Sequence, residues 1–200
     1  MMRIVGGQFR SRRLRPVGKL ALRPTSDMLR ETLFNILGAE IAGSVFVDCY
    51  AGTGAVGIEA LSRGARRAIF IEKHVATANH IRENLAALGI IAAAFRGADS
   101  AEAEILNTDA RRGLAQLAGR IAAGGEKIDF LFADPPYADA RSCFETLEEF
   151  AAKGALAPAA IVIIEHDSKT RLPERLGPFP KVRLLVQGDS ALSFYRNQAK

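Results

Sequence analysis

Hydrophobic positions recur along the chain in two alternating patterns, and each pattern predicts one type of element. Short apolar runs predict strands at residues 44–49, 67–72, 102–107, 128–133, 160–165, 181–187 and 190–196. Apolar residues at helical spacing predict helices at residues 25–38, 54–63, 74–88, 109–123 and 141–153. Because strands and helices alternate, we expect an α/β fold with a mostly parallel sheet covered on both faces.

Two stretches depart from this simple alternation. The last two predicted strands are separated only by Gly188-Asp189, a hairpin signal, so we expect the last strand to run antiparallel. Residues 90–107 contain two possible strands. The second is favoured because NTDARRGL follows it as a strand-end loop and a helix start, which leaves residues 90–100 as an extra segment.

A glycine-rich loop follows the first predicted strand. Gly52, Gly54 and Gly57 spell G-x-G-x-x-G, the pattern of a dinucleotide-binding turn. Asp48 comes four residues before the first glycine, where its carboxylate would repel a pyrophosphate. A carboxylate there suits a ligand with an ammonium group, such as the amino-acid end of S-adenosylmethionine.

Two further acidic residues follow predicted strands. Glu72 ends the second strand, where it can accept hydrogen bonds from the ribose hydroxyls of either kind of cofactor. Asp109 follows the third strand and can accept from an adenine amino group. The glycine loop and these acids therefore leave the cofactor open.

The segment IDFLFADPPYAD decides between the two cofactors. Its apolar strand delivers Asp134, Pro135, Pro136 and Tyr137 to a strand end. The prolines lack N–H donors, so neighbouring carbonyls can face a ligand, and Tyr137 offers a flat face for stacking on a base. Acceptors around an exocyclic amine favour the transition state in which positive charge builds on its nitrogen. The segment therefore predicts methyl transfer to a nucleobase amine.

The positive charge of the chain is concentrated at one end. The net charge is +5, yet residues 1–23 hold seven basic residues and no acid. MRIVGGQFRSRRLRPV alternates apolar and basic residues around two glycines, which predicts a short hairpin. We expect this arm to contact RNA phosphates. The predicted RNA-binding residues are Arg3, Arg10, Arg12, Arg13 and Arg15.

Together these motifs resemble one family. The D-P-P-Y segment, RPTSDMLRETLFNIL, DCYAGTGAVGIEALSRGA and a closing SFYR are similar to the bacterial 16S ribosomal RNA guanine-N2 methyltransferases of the RsmD type. The resemblance covers nearly the whole chain. It implies a class I, Rossmann-like fold with seven strands, the last antiparallel, preceded by an N-terminal β-hairpin and helix.

The same resemblance implies roles for particular residues. Asp134, Pro135, Pro136 and Tyr137 would form the catalytic motif. The cofactor-binding residues would be Arg23, Thr25, Asp48, Ala51, Gly52, Thr53, Gly54, Glu72, Lys73, Asp109 and Ala110. The extra segment at 90–100 leaves Asp99 as a competitor of Asp109 for the adenine. The substrate would be 16S rRNA, either naked or within the 30S particle or an assembly intermediate, and the methyl donor would become S-adenosylhomocysteine.

The amino-acid composition limits the classes of protein to which the chain could belong. A chain of 200 residues that is 48% hydrophobic suits a basic arm at 1–24 and one methyltransferase domain at 25–200. Cys49 and Cys143 form no metal-ligand pattern, and no apolar run reaches the roughly 18 residues of a membrane span. We expect a cytoplasmic monomer without metal or membrane partner.

The alternatives to an rRNA methyltransferase are a DNA adenine or cytosine amino-methyltransferase, an NAD-binding oxidoreductase, and a non-catalytic RNA-binding module.

Overall fold

The chain folds into two compact units, Met1–Thr108 and Asp109–Lys200. The computed structural model describes residues 2–15, 26–90, 102–136 and 139–197. Among those residues, no helix has both the length and the apolar character that a bilayer crossing needs. The predicted boundary between an arm at 1–24 and a domain at 25–200 stays a prediction.

The first unit combines three parallel strands with three helices. Its strands lie in the order β3-β2-β1, and the register pairs Val45 with Arg67 and Arg67 with Glu102. All five residues of β1 are buried, as expected of a parallel strand covered on both faces. The elements are α1 (Asp27–Leu37), a 3-10 turn (Gly38–Ile41), β1 (Val45–Cys49), α2 (Ala55–Ser62), β2 (Arg67–Ile71), α3 (Val75–Ala87) and β3 (Glu102–Leu106).

Helix α1 begins and ends at residues suited to those positions. The Ser26 hydroxyl accepts a hydrogen bond from the Leu29 N–H at 3.1 Å, which satisfies one of the unpaired donors of the first turn. Gly38 ends the helix at φ 56°, a conformation that favours glycine. The buried residues of the helix recur at helical spacing and include Leu29, Leu33 and Leu37. The sequence pattern therefore predicted this helix correctly.

The predicted N-terminal hairpin is present in a reduced form. The Ile4 N–H donates to the Arg12 carbonyl at 2.9 Å, and the Leu14 N–H donates to that of Met2 at 3.1 Å. Arg3 and Arg13 form an isolated antiparallel bridge. We call residues 2–15 the arm. It pairs antiparallel with itself but builds no full strand.

The arm covers helix α2, and this explains why every residue of that short helix is buried. The Val5 N–H donates to Glu59 Oε2 at 2.8 Å, and the Phe9 N–H donates to Ser62 Oγ at 3.0 Å. The arm approaches α2 closely at Gly7, where an added Cβ would lie 1.8 Å from the Ser62 carbonyl oxygen. A side chain at that position would push the arm off the helix.

The second unit is a mixed sheet with two helices. Strand β4 pairs parallel with β5, whereas β8 runs antiparallel to both β5 and β7. The strand order in this unit is β4-β5-β8-β7-β6. Its elements are α4 (Ala110–Ala122), β4 (Ile128–Ala133), α5 (Ala140–Ala152), β5 (Leu156–Asp167), β6 (Arg175–Leu176), β7 (Phe179–Gln187) and β8 (Ser190–Arg196).

The predicted α/β class is confirmed, as is the antiparallel last strand after the Gly188-Asp189 turn. The strand count differs from the predicted seven, because the described residues also include β6, of two residues. Such a short strand leaves no hydrophobic pattern, since its pairing depends on the turn at Gly177, where φ is 54°. Of the two alternatives within residues 90–107, the second is the strand β3.

Candidate functional site

The glycine loop between β1 and α2 has a backbone that few other residues would tolerate. Tyr50, Gly52 and Gly54 all have positive φ, at 66°, 52° and 76°. Gly54 occupies the N-cap of α2 in the left-handed conformation. Gly57 is required for another reason, since an added Cβ would lie 2.4 Å from the Phe70 ring. The spacing of glycines thus combines backbone conformation with close packing of α2 on β2.

Gly52 differs from the other two glycines because it has open space beside it. A Cβ added to Gly52 would lie near only one atom, the Tyr50 carbonyl oxygen, at 3.9 Å. Gly52 is therefore needed for its positive φ and not for packing. Strained backbone in a non-glycine residue, as at Tyr50, is common where a fold holds a ligand.

Asp48 lies buried at the end of β1, with 2% of its surface exposed. Its Oδ2 accepts a hydrogen bond from the Gly57 N–H at 2.8 Å, in the first turn of α2. Burial raises the pKa of the Asp48 carboxyl to about 8; the Gly57 N–H opposes this rise, and the negative charge of Glu72 adds to it. Burial therefore favours the protonated form of the Asp48 carboxyl. The sequence did not predict its role in holding the start of α2.

Glu72 ties the glycine loop to the end of β2. One carboxylate oxygen accepts from the Gly52 N–H at 2.9 Å, and the other accepts from the His74 N–H at 2.7 Å. The side chain of Asn107, which the sequence did not single out, donates to the Glu72 carbonyl at 2.8 Å and to that of Lys73 at 3.2 Å. Asn107 directly follows β3, and a polar residue at a strand end was the sequence signal that could have identified it.

Asp48, Glu72 and Gly52 are therefore connected within the first unit. Asp48 lies near the end of β1 and Glu72 directly follows the neighbouring β2, in a register that pairs Asp48 with Phe70. Ala51 and Thr53, also predicted to bind cofactor, are buried in the same loop. This arrangement brings two buried carboxyl groups and the partly exposed Gly52 to one edge of a parallel sheet.

The second unit begins with Asp109, the N-cap of α4. Its Oδ1 accepts from the Arg112 N–H at 3.0 Å, and its Oδ2 lies 3.4 Å from Arg112 Nε. Ala110 is the first residue of the helix. The side chain of Asp109 thus has a helix-capping role, and its expected contact with adenine stays a prediction. Asp99, its competitor, lies outside the described residues.

The predicted catalytic motif begins directly after β4. Asp134 is half-buried, Pro135 is buried and Pro136 is exposed. The Pro136 carbonyl accepts from the Asp139 N–H at 2.7 Å, which closes a turn ahead of α5. Tyr137 lies outside the described residues, as do Arg23 and Thr25.

The five arginines predicted to bind RNA are all exposed, but they differ in their partners. Arg3 Nε lies 3.6 Å from a carboxylate oxygen of Asp27, and Arg15 Nη1 lies 3.5 Å from one of Glu83. Arg10, Arg12 and Arg13 form no ion pair with any described residue and surround the turn of the arm. The positive charge available to a ligand is therefore concentrated at that turn.

A buried ion-pair network, which was not predicted from the sequence, fixes the arm. Arg30 and Glu59 are both fully buried, with Arg30 Nε 3.7 Å from Glu59 Oε2. Arg63 Nε lies 2.8 Å from the other carboxylate oxygen, and Arg30 donates to the Arg3 carbonyl. A charged residue within the apolar helix AVGIEALS was the only signal.

No group of three or more His, Cys, Asp or Glu side chains suited to a metal ion occurs in the described ranges. His166 is buried between the Ser193 hydroxyl and the Asp167 carbonyl, each 2.9 Å from a ring nitrogen. Burial lowers the pKa of His166, which favours the neutral ring.

Comparison with known proteins places these features in one family. Residues 2–196 match the family described as "Conserved hypothetical protein 95". Over 200 residues the chain is 34% identical to Ribosomal RNA small subunit methyltransferase D of Escherichia coli, covering 100% of this chain and 91% of the relative. YlbH of Bacillus subtilis is 28% identical over 199 residues, with 98% of this chain and 100% of the relative covered.

A solved structure agrees with this relationship. The E. coli protein yhhF has 36% sequence identity and a TM-score of 0.79, and the match covers 100% of this chain and 99% of that chain. Such identity over the full length confirms the resemblance seen in the sequence motifs. The chain belongs to the Conserved hypothetical protein 95 family, which it shares with small-subunit ribosomal RNA methyltransferase D.

Proposed function

We propose that the protein is an S-adenosylmethionine-dependent methyltransferase that modifies the exocyclic N2 amine of a guanine in 16S rRNA. The observation that carries the proposal is the linked set of Asp48, Gly52 and Glu72 at neighbouring strand ends, in a chain that also contains D-P-P-Y. The name of the E. coli relative supports ribosomal RNA as the substrate class.

The residues of the first unit fit the amino-acid and ribose parts of the methyl donor. A ligand ammonium beside Asp48 would favour the carboxylate form that burial disfavours. Glu72 uses one lone pair of each oxygen for Gly52 and His74, and the remaining lone pairs can accept from ribose hydroxyls. Asp109 would accept from the adenine amino group. The bound donor supplies an electrophilic methyl group on a positively charged sulfur.

The D-P-P-Y motif would act on the base. The lone pair of an exocyclic amine is delocalised into the ring, so the nitrogen is a weak nucleophile. Asp134 and the neighbouring carbonyls would accept its hydrogens, and Tyr137 would stack on the ring and aim the nitrogen at the methyl group. The nitrogen–carbon bond forms as the carbon–sulfur bond breaks, with its electron pair going to sulfur. The nitrogen then releases a proton, for which water is one acceptor.

The arm would hold the RNA backbone. Arg10, Arg12 and Arg13 carry exposed charge without an acidic partner among the described residues, whereas Arg3 and Arg15 also brace the arm against Asp27 and Glu83. Phosphate contacts of this kind position a substrate without choosing the base. The base itself must leave its stack to reach Tyr137.

The test is transfer of tritiated methyl from S-adenosylmethionine to RNA from a strain that lacks the protein. Naked 16S rRNA and 30S particles are assayed separately, and the labelled nucleoside is identified. We expect N2-methylguanosine with the unmodified protein and no label with Asp134→Ala. The matched control is Asp189→Ala, which removes an exposed aspartate from the β7–β8 turn.

The alternative functions give different results in the same assay. Label in DNA or in N6-methyladenosine would support the amino-methyltransferase alternative. RNA binding without label in either substrate would support a non-catalytic module. Binding of NAD in place of S-adenosylhomocysteine would contradict the proposed cofactor.

A further inference from the structure

One buried amide side chain contacts both the arm and the glycine loop. Asn84 lies on α3 and is 1% exposed. Its Oδ1 accepts from the Arg15 N–H at 2.8 Å, and its Nδ2 lies 3.4 Å from the carbonyl oxygens of both Arg15 and Thr53. The side chain therefore uses its donors and its acceptor on the main chain of two separate segments.

The other end of the arm contacts the same loop residue. The Thr53 hydroxyl donates to the sulfur of Met2 at 3.4 Å, and the Met2 carbonyl accepts from Leu14 within the arm. Ile4 and Leu14 pack in one apolar cluster with Ala51 and other residues around the loop. Both ends of the arm are thus attached to Thr53, one of them through Asn84.

We propose that Asn84 is a positioning residue that couples RNA binding at the arm to cofactor binding at the glycine loop. This inference rests on the proposed function. RNA phosphates at Arg10, Arg12 and Arg13 would favour the docked arm. The docked arm holds Asn84 against the Thr53 carbonyl and thereby orders the loop before the cofactor binds. By thermodynamic reciprocity, bound cofactor raises RNA affinity by the same factor.

Calorimetry can measure this coupling directly. S-adenosylhomocysteine is titrated into the full-length protein with and without saturating unmodified 16S rRNA transcript, and the ratio of the two dissociation constants is the coupling factor. We expect the unmodified protein to bind S-adenosylhomocysteine at least about fivefold more tightly with RNA. Asn84→Ala should reduce the ratio to about one while the circular dichroism spectrum stays that of a folded protein.

Two further variants separate coupling from stability. Asn79→Ala removes an exposed asparagine from the same helix and should keep the full coupling factor. Asn84→Asp keeps an acceptor for the Arg15 N–H but loses the donor to Thr53, so it should also lose coupling. It replaces Asn84→Ala if that variant does not fold. In methyl transfer, loss of coupling should raise the KM for the donor at saturating RNA with little change in kcat.

The outcomes distinguish this inference from the proposed function. If the unmodified protein binds both ligands independently, or if the Asn84 variants keep its coupling factor, Asn84 is only a structural residue and the inference fails while the proposed function stands. If the unmodified protein binds neither S-adenosylhomocysteine nor RNA, the proposed function fails, and the coupling fails with it.

Discussion

The carboxyl group of Asp48 accepts a hydrogen bond from the backbone N–H of Gly57, 2.8 Å away, across the whole glycine loop. This bond fixes the first turn of α2 to the end of β1. It also places an ionisable group in a buried position, where the charged form is disfavoured. Asp48 therefore contributes to stability and, in the proposed function, also to ligand binding.

Asp48→Asn should change how stability depends on pH. The folded protein keeps a proton on Asp48 up to about pH 8, whereas the unfolded chain releases it near 3.8. The contribution of Asp48 to the free energy of unfolding therefore falls as pH rises through this window, by at most about 1.4 kcal/mol per pH unit. Asparagine does not titrate, so the variant should gain on the unmodified protein from pH 5 to 8. Urea unfolding at several pH values measures the difference, and parallel curves would contradict the raised pKa.

Glu72→Ala should weaken binding of S-adenosylhomocysteine by about 1–3 kcal/mol, because ribose hydroxyls would lose a buried acceptor. The same change frees the N–H groups of Gly52 and His74, so the loop should also become less stable. Calorimetry measures the affinity. Glu31→Ala, on the exposed face of α1, is the control and should bind normally. An affinity equal to that of the control would remove Glu72 from the cofactor site.

Substitutions in the D-P-P-Y motif should affect transfer more than cofactor binding. Asp134→Ala should abolish methyl transfer and leave the affinity for S-adenosylhomocysteine within a few-fold. Tyr137→Ala should cost about 1–3 kcal/mol of transition-state stabilisation through lost stacking, and Tyr137→Phe much less. Single-turnover rates measure both effects. Equal losses in the Phe and Ala variants would show that the hydroxyl matters and that stacking is the wrong role.

Neutralising Arg10, Arg12 and Arg13 together should weaken RNA binding and reduce its dependence on salt. Each lost phosphate contact on single-stranded RNA lowers the slope of log affinity against log salt by about 0.7, so the triple glutamine variant should lose about 2. Point substitutions suit this test better than deletion, because removal of the arm would expose the apolar core beneath Ile4 and Leu14. Filter binding at salt concentrations from about 50 to about 300 mM measures the slope.

A matched triple variant controls for net charge. Lys169, Arg171 and Arg183 are exposed cations of the second unit, and their replacement by glutamine removes the same charge. We expect this control to keep a salt slope close to that of the unmodified protein. Equal slopes in the two triple variants would mean that the arm is not the place where RNA is held.

Glu59→Ala should destabilise the first unit strongly. The carboxylate is fully buried, accepts from the N–H groups of Val5 and Arg63, and lies 3.7 Å from Arg30 Nε. Its loss removes one of two counter-charges of the buried Arg30 guanidinium, the other being Asp27 at 3.0 Å. Removal of one partner from such a pair costs about 3–5 kcal/mol. The midpoint of urea unfolding measures it, with Glu31→Ala again as the control. A change below about 1 kcal/mol would mean that water replaces the carboxylate at little cost.

Features with a local signal could be predicted from the sequence. Strand β1 is uniformly apolar before Asp48, the hairpin follows from Gly188-Asp189, and the capping residues around α1 set its ends. The order of the glycine loop, Glu72 and the D-P-P-Y segment was sufficient to indicate the family. In each case the residues that determine the feature are neighbours in the chain.

Features that depend on distant partners could not be predicted. Asn84 contacts Arg15 across 69 positions, and Glu59 contacts Val5 across 54. Asn84 does not differ locally from an ordinary helix residue, and the charge of Glu59 within an apolar helix does not indicate its partner, so both roles follow only from tertiary packing. Asp48 illustrates both cases. Its place beside the glycines could be predicted from the sequence, but its bond to Gly57 and its raised pKa could not.

The separation between Arg15 and Asn84 has a consequence for how the chain is made. The arm is synthesised before its anchoring partner, because Asn84 follows Arg15 by 69 residues. At about 5–20 residues per second, the arm waits several seconds before it can dock. During that interval the arm lacks its contact with Asn84, so it cannot reach its native position until α3 has been made.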